Sequence, residues 1–282
     1  MDWRLKCLAH YLMEYLPRPV ERALRRRVSG RYLFNLVDEE FAAYSYHVDN
    51  FRRLPNPGRV LEFGAGSNLL SALMLSAAGA PEVLAYDLSR LATVERVNHV
   101  IRQLRKRVPG DWPEIVDLDQ DLTSRYRIRY CAPGDARFTG LPAGSVDFFC
   151  STSTLEHIPA PEIARILSEC RRIASTQALF SFIIDYHDHY ATADSTITRV
   201  NFYRYPEAIW RIFNPPGHHQ NRLRHSDYER LFLDHGLSFI ENRSVVPPIV
   251  VDRVHERFKR YSKDDLMALN GFFVLRAGAS NA

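Results

Sequence analysis

From Arg59 onward, short apolar runs alternate with longer segments of helical periodicity, and this alternation constrains the fold more than any other feature. Such alternation is typical of a parallel sheet that is covered by helices on both faces. The predicted strands are 59–63, 82–87, 127–131, 146–151, 178–184, 237–246 and 271–276. The predicted helices between them are 67–78, 90–107, 161–173, 226–235 and 253–268.

Two further helical stretches precede this alternation, and we interpret residues 1–57 as an N-terminal helical cap. The first stretch, 3–27, is amphipathic and interrupted by prolines, and the second covers roughly 36–53. Basic residues outnumber acidic ones over residues 1–31, and a basic amphipathic helix can lie on a membrane surface. The alternative is that its apolar face packs on the main domain while its arginines are solvated.

Composition excludes several classes of protein. With 282 residues, of which 46% are hydrophobic, the chain can bury a full core. Its four cysteines are scattered, which indicates neither a zinc cage nor a disulfide framework, and no apolar run reaches the roughly 20 residues of a membrane span. We therefore expect a soluble, cytoplasmic protein, of unassigned oligomeric state. The pI of about 8.9 suggests nucleic acid, but the basic residues do not interleave with aromatic ones, so we expect no nucleic-acid partner.

The segment Val60–Asn68 combines an apolar strand, a glycine turn and the start of a helix. Gly64 and Gly66 have no Cβ, so the chain can turn sharply there and approach a ligand closely. Asp87 ends the next predicted strand, near the spacing at which a strand-end carboxylate meets ribose hydroxyls. The alternatives are a plain strand-to-helix turn for the glycines and, for Asp87 or Ser89, a cap on the following helix.

These motifs resemble the class I S-adenosylmethionine (SAM) dependent methyltransferase superfamily. The segment Glu62–Asn68 is similar to its first motif, with Asn68 where many members have a third glycine, and Asp87 matches the acid that binds the ribose diol. The run Gly134–Ala136 resembles the motif in which an acid meets the adenine amino group and the next backbone amide meets the ring. Asp147–Ile158 looks like the fourth-strand motif, with the Leu-Glu-His-Ile ending common in small-molecule methyltransferases.

The resemblance implies a Rossmann-like α/β fold of seven strands, mostly parallel with an antiparallel last strand and with helices on both faces, over residues 58–282. It implies SAM as the cofactor. A dinucleotide dehydrogenase is disfavoured because position 69 is Leu where its fingerprint requires glycine. The candidate cofactor-binding residues are Glu62, Gly64, Gly66, Asn68, Asp87, Leu88, Asp135, Ala136 and Ser151.

Three histidines are candidates for the general base or for positioning the acceptor. His157 follows the fourth predicted strand, and His187 and His189 follow the fifth, so all three lie at the edge where ligands bind. For His157 the alternative is a ring that hydrogen-bonds the backbone, and Asp188 could orient an imidazole. His187, Asp188 and His189 could also ligate a divalent metal, but alternating ligands diverge on a short segment, so we predict no metal site.

Residues 185–225 are too long for an ordinary crossover and rich in aromatic and basic side chains, so we predict an acceptor lid over this range. Its runs Asp185–Tyr190, Tyr203–Tyr205 and His219–Tyr228 resemble a bacterial subgroup associated with surface-polysaccharide biosynthesis, which implies a saccharide acceptor. The alternative is that the aromatic residues pack this segment onto the sheet. The candidate acceptor-binding residues are Tyr186, Tyr190, Tyr203, Arg204 and Arg222.

We therefore predict a SAM-dependent methyltransferase that moves a methyl group to an oxygen of a small polar acceptor. Two alternatives stay open. One is a methyltransferase acting on a natural product or another small molecule. The other is a non-catalytic SAM-binding scaffold subunit whose basic N-terminal helix docks to a partner or a membrane.

Overall fold

The computed structural model describes residues 2–17, 20, 38–249, 251 and 253–278. Its strands are β1 Val60–Phe63, β2 Val83–Tyr86, β3 Ile128–Cys131, β4 Val146–Thr152, β5 Ala174–Asp185, β6 Leu237–Val245 and β7 Asn270–Ala277. They form one sheet in the order β3-β2-β1-β4-β5-β7-β6. Strands β1 to β5 pair in parallel, while β7 is antiparallel to both β5 and β6. The predicted sheet, with its antiparallel last strand, is confirmed.

The helices mostly match the predicted ones, apart from a short helix inside the predicted 185–225 lid and three further differences. They are α1 Trp3–Glu14, α2 Asp38–Phe51, α3 Leu70–Ala77, α4 Val94–Leu104, α5 Leu118–Tyr126, α6 Ala160–Ile173, α7 Glu207–Ile212, α8 His225–Asp234 and α9 Lys263–Met267. Helix α4 is capped by Thr93, whose side chain accepts from the Arg96 amide, so neither Asp87 nor Ser89 is its cap.

The other two differences are a predicted helix that the structure does not form and a helix that was not predicted. The predicted helix 253–268 is wrong: the chain forms a 3-10 turn at Glu256–Phe258 and then the short α9, which Ser262 caps by accepting from the Asp265 amide. Helix α5 was not predicted, because its sequence is largely polar and it begins at a side-chain cap, Asp117.

Alternate residues of the central strands contribute to two cores, one on each face of the sheet. In β1, Val60 lies in one hydrophobic cluster, whereas Leu61 and Phe63 lie in the other. Burial on both faces is what a parallel sheet with helices on either side requires. The carboxyl ends of the parallel strands β1, β2, β4 and β5 therefore lie together at one edge of a sheet that is packed on both faces.

The two described helices of the predicted cap pack in different places. Helix α2 lies on the sheet through Val48 and Phe51, whereas α1 buries Trp3 and Cys7 in a third cluster, together with aromatic residues of the 185–225 segment. Among the predicted apolar side chains of α1, Trp3 thus packs on the main domain, whereas Leu5, Leu8 and Leu12 are more than half exposed. The predicted domain boundary at 57 and 58 stays a prediction.

Part of the N-terminal prediction lies outside the described residues. The arginines at 18, 22, 25, 26, 27 and 31, which supply most of the predicted basic character, are among these. Within the described ranges, no helix combines the length and the apolar character that a membrane span needs.

Candidate cofactor and acceptor site

The glycine turn after β1 is a tight, sterically constrained feature. Gly64 and Gly66 have φ angles of 74° and 69°, in the left-handed region that favours glycine. A Cβ on Gly64 would lie 2.3 Å from the side chain of Thr154, which follows β4. The turn therefore needs glycine both for its backbone angle and for the close approach of the two strand ends.

Asp87 closes the other side of this turn. One of its carboxylate oxygens accepts from the Gly66 amide at 3.0 Å, and the other accepts from the Ser89 amide at 2.9 Å. Burial raises the pKa of Asp87 despite these two hydrogen bonds. Each carboxylate oxygen has a second lone pair, so Asp87 can still accept from a ligand hydroxyl.

A cleft of about 300 Å³ opens at this edge of the sheet. Its walls are largely apolar, with Phe63 and Ile158 among them. Six candidate residues line it: Gly64, Asp87, Leu88, Asp135, Ala136 and His157. The structure thus brings together residues from the ends of β1, β2, β3 and β4, which are far apart in the sequence.

Asp135 is held in place by a neighbouring guanidinium. Arg137 donates to both of its carboxylate oxygens, at distances of 2.6 to 3.0 Å, and also contacts Glu162. The hydrogen bonds from Arg137 hold the pKa of Asp135 below its usual range. Asp135 is therefore a fixed anion in the lining of the cleft, next to the Ala136 backbone.

Four of the candidate cofactor residues do not line the cleft. Glu62 is buried within β1, and Gly66 forms the back of the turn. The Asn68 side chain accepts from the Leu70 amide at the start of α3, and the Ser151 hydroxyl donates to the Phe63 carbonyl at 3.0 Å. These side chains support the turn and the end of β1.

Glu62 makes stability depend on pH. Burial raises its pKa to about 7, while its unfolded-state pKa is about 4.3. The native chain thus binds this proton more tightly, so the contribution of Glu62 to the free energy of unfolding falls as pH rises from about 4 to about 7. We therefore expect the melting temperature of Glu62→Gln, expressed as its difference from wild type, to increase between pH 5 and pH 7. Exposed Glu95→Gln is the control, and a difference for Glu62→Gln that did not vary with pH would refute this.

The three candidate histidines meet around Asp185, at the carboxyl end of β5. The Nδ1 atom of His187 contacts one oxygen of the Asp185 carboxylate, and the Nε2 atom of His189 lies 3.5 Å from the other. The His189 ring lies 4.7 Å from that of His157, which lines the cleft. A continuous set of polar side chains thus leads from the cleft to His187.

The protonation of this cluster follows from its surroundings. Desolvation, followed by the imidazole of His189, lowers the pKa of His157, while its Nδ1 donates to the His219 carbonyl at 2.8 Å. Burial opposes ionisation of Asp185, but the contacts from His187 and His189 hold the pKa of Asp185 well below its usual range. The Asp185 carboxylate is therefore an anion that contacts the rings of His187 and His189.

Asp188 has a different role from the one predicted. It is fully buried, and its carboxylate accepts from the Tyr190 amide at 2.9 Å, which caps the 3-10 helix His189–Thr192. Burial raises the pKa of Asp188 to about 6. The acid that orients the imidazoles is Asp185, because Asp188 points into the protein.

Four of the five candidate acceptor residues need correction. Tyr186, Tyr190 and Tyr203 are at most 2% exposed, and their hydroxyls contact His225 and the carbonyls of Phe213 and Leu266. The Arg222 guanidinium is buried too, and donates to two carbonyls and to a carboxylate. None of these polar groups faces the cleft, so the alternative is correct here: these aromatic residues pack the 185–225 segment.

The fifth, Arg204, borders a separate cleft of about 430 Å³. Arg4, Arg253 and His255 line the same cleft. Its lining is cationic, which suits an anionic group, but it does not share lining residues with the cleft at the strand ends.

Sequence reasoning missed three residues of the site. Asp185 ends a buried strand, which is the signal that identified Asp87. Glu156 adjoins His157 in the Leu-Glu-His-Ile run and is 2% exposed. Thr154 lies against the glycine turn, and only the folded chain shows this contact.

The sheet order, the glycine turn and the strand-end acid define a class I SAM-dependent methyltransferase fold and cofactor site. A family model described as a methyltransferase domain matches residues 10–242, and the chain therefore belongs to this family. The cofactor of the family is SAM, and the cleft fits it, because Gly64 leaves room, Asp87 offers a carboxylate to the ribose and Ala136 lies beside Asp135.

Several solved structures are similar to this chain, and the first two below share its fold. Mitomycin 7-O-methyltransferase MmcR is 13% identical with a TM-score of 0.50, covering 95% of this chain and 60% of that chain. Geranyl diphosphate C-methyltransferase from Streptomyces coelicolor A3(2), solved with S-adenosyl-L-homocysteine, is 13% identical with a TM-score of 0.50, covering 84% and 79%. A chain of the Haloferax volcanii Trm112 activator–methyltransferase complex is 17% identical with a TM-score of 0.49, covering 93% and 97%. No curated protein sequence matches significantly.

Proposed function

We propose that this methyltransferase transfers the methyl group to a hydroxyl oxygen of a small polar acceptor, in particular a saccharide. The observation that carries the proposal is the cluster of Asp185, His187, His189 and His157 beside the cofactor cleft. A hydroxyl is a weak nucleophile, and a positioned imidazole that takes its proton contributes to its reactivity.

Residues that line the cleft would each contact a different chemical group of SAM. Asp87 would accept from the ribose hydroxyls, Asp135 from the adenine amino group, and the Ala136 amide would meet the ring. When bound, SAM supplies an electrophilic methyl group on a sulfonium. The remaining work of the protein is to orient the acceptor oxygen and to remove its proton.

His187 is the base in this proposal. Its Nδ1 atom faces the Asp185 carboxylate, which fixes the tautomer and stabilises the imidazolium that forms when Nε2 takes the proton of the acceptor hydroxyl. Nε2 would take this proton as the acceptor oxygen received the methyl group, and the electron pair of the breaking sulfur–carbon bond would stay with S-adenosylhomocysteine. His157 and His189 lie between the cleft and Asp185, where they can position the acceptor.

A saccharide suits the polar end of this site. Imidazole and carboxylate groups hydrogen-bond to hydroxyls, and Arg199, whose guanidinium lies 3.5 Å from His187 Nε2, suits an acid or phosphate on the sugar. The test is S-adenosylhomocysteine release with free sugars, nucleotide sugars, phenols and amines. Turnover with sugars is expected. Turnover confined to phenols or amines would support the natural-product alternative, and turnover only with a copurifying protein would support the scaffold.

Asp87 gives the sharpest test of the cofactor site. For Asp87→Ala we expect S-adenosylhomocysteine affinity to fall by about 1.5 to 3 kcal/mol, the size of a hydrogen bond to a charged group. Asp87→Asn, which keeps one acceptor oxygen, is expected to lose less. Calorimetry measures both, with exposed Asp111→Ala as the control. Unchanged affinity in Asp87→Ala would mean that the ribose acid lies on another strand.

The N-terminal helix supports a second proposal, peripheral contact with a membrane. Leu5, Leu8 and Leu12 of α1 are each more than half exposed and lie on the side away from Trp3. Replacing all three with Gln is expected to weaken binding to anionic liposomes at least about tenfold, since each leucine would lose apolar burial in the bilayer. Sedimentation with vesicles measures this, and exposed Leu233→Gln on α8 is the control. Equal sedimentation of the wild type, the triple variant and the control with vesicles would refute the proposed membrane contact.

A further inference from the structure

We propose that Glu156, His157 and His189 form a binding site for a first-row divalent metal ion such as Zn²⁺. Each residue offers one ligand atom, and the three atoms lie within 4.8 Å of one another. Glu156 and His157 belong to the 3-10 helix after β4, and His189 begins the 3-10 helix after β5. Two neighbouring strand ends thus gather ligands that are separated in the sequence.

The buried carboxylate of Glu156 is the first observation that points to a cation. The residue is 2% exposed, and in the described part of the chain neither carboxylate oxygen has a hydrogen-bond partner. A second carboxylate, Asp185, lies close enough to act on it electrostatically. Two neighbouring carboxylates are unfavourable in an apolar environment because their negative charges repel each other. A cation bound by Glu156, His157 and His189 would offset this repulsion.

The surroundings of the two histidines are the second observation. His157 donates from Nδ1 to the His219 carbonyl at 2.8 Å, which leaves the lone pair on Nε2. The His189 Nε2 atom is buried, has no hydrogen-bond partner within the described residues, and lies 3.5 Å from the Asp185 carboxylate. Metal-binding histidines almost always donate their other ring N–H to a carbonyl or carboxylate, as His157 does, and this bond fixes the ring and raises its basicity.

The ligand types select the class of metal. Two imidazoles and one carboxylate suit Zn²⁺, Fe²⁺, Co²⁺ or Ni²⁺, whereas Mg²⁺ and Ca²⁺ prefer oxygen ligands only. This set differs from His187, Asp188 and His189, because Asp188 caps a helix and His187 faces Asp185. Three protein ligands leave a coordination position open, as in catalytic rather than structural zinc sites.

The position of the site suggests its use. His157 lines the cofactor cleft, so a cation beside it would meet an acceptor hydroxyl near the methyl group and make that hydroxyl more acidic. His187, on the other side of Asp185, would then take the proton. This use rests on the proposed function, whereas the metal site itself does not.

The test is metal binding by the full chain, measured without turnover. After chelation and dialysis, calorimetric titration with ZnCl₂ is expected to show one equivalent bound, and MgCl₂ is expected to show none. Glu156→Gln and His189→Ala are each expected to weaken Zn²⁺ affinity more than about 100-fold, beyond the usual effect of losing an outer-shell partner, because each removes one of the three ligands. The matched control is His235→Ala, a histidine that contacts the Leu231 carbonyl on α8 and should bind as wild type does.

The outcomes separate this proposal from the methyltransferase function. Zn²⁺ binding that is absent in folded wild type, or unchanged in Glu156→Gln and His189→Ala, overturns the metal site. S-adenosylhomocysteine binding, measured on the same samples, reports the cofactor site independently. If Glu156→Gln does not fold, Co²⁺ added to wild type decides: visible absorption that one equivalent of Zn²⁺ abolishes supports the site, and no such absorption overturns it.

Discussion

Replacing His187 with alanine is expected to lower kcat for methyl transfer by about 10²- to 10⁴-fold, the usual contribution of a positioned general base. The reason is that the Asp185 carboxylate contacts its Nδ1 atom, so Nε2, whose contact with the Arg199 guanidinium is a long 3.5 Å, is the nitrogen that takes the proton. The measurement is S-adenosylhomocysteine release at saturating acceptor, across pH 6 to 10. The loss should be smaller at high pH, where hydroxide replaces the missing base.

Two controls separate catalysis from folding. His187→Ala should bind S-adenosylhomocysteine as wild type does, because His187 does not line the cofactor cleft. His235→Ala should retain full kcat. A kcat for His187→Ala within threefold of wild type would show that the base is another residue or that the acceptor needs none.

Replacing Arg224 with methionine is expected to lower the free energy of unfolding by about 3 to 5 kcal/mol. The side chain is fully buried, and its guanidinium donates to the carbonyls of Asp265, Ala268 and Tyr186. Methionine fills much of the space but leaves these acceptors unpaired, at about 1 to 3 kcal/mol each. Urea unfolding followed by circular dichroism measures the loss.

The same substitution tests how the 185–225 segment is held. Arg224 also lies 5.0 Å and 5.2 Å from the ring centres of Tyr186 and Tyr203, so it links this segment to the chain around α9. Exposed Arg230→Met is the control and should stay within about 0.5 kcal/mol of wild type. If both variants unfolded at the same urea concentration, the carbonyls around Arg224 would have to be satisfied in another way.

The parts of the site that sequence predicted are those that depend on a strand and the few residues after it. Gly64 and Asp87 follow buried strands directly, so their place at the sheet edge follows from the parallel order of the strands. Helix α5 was not predicted because its largely polar sequence lacks clear apolar periodicity. Its start is marked by a side-chain cap and not by an apolar stripe.

The acceptor side depends on contacts between distant segments, which a local pattern does not reveal. Tyr190 and Tyr203 have the composition of a sugar-stacking surface, yet they bury against Trp3 from α1 and Phe258 near the end of the chain. Arg222 has the character of an anion-binding residue, yet the fold uses its guanidinium to hold carbonyls of its own segment. Only the packed structure distinguishes such roles.

The central claim, that this cleft binds the SAM skeleton, is tested most directly by calorimetry of the full chain with S-adenosylhomocysteine and, separately, with NAD. We expect saturable binding of one S-adenosylhomocysteine per chain and no heat from NAD. A folded chain that bound NAD but not S-adenosylhomocysteine would contradict the account.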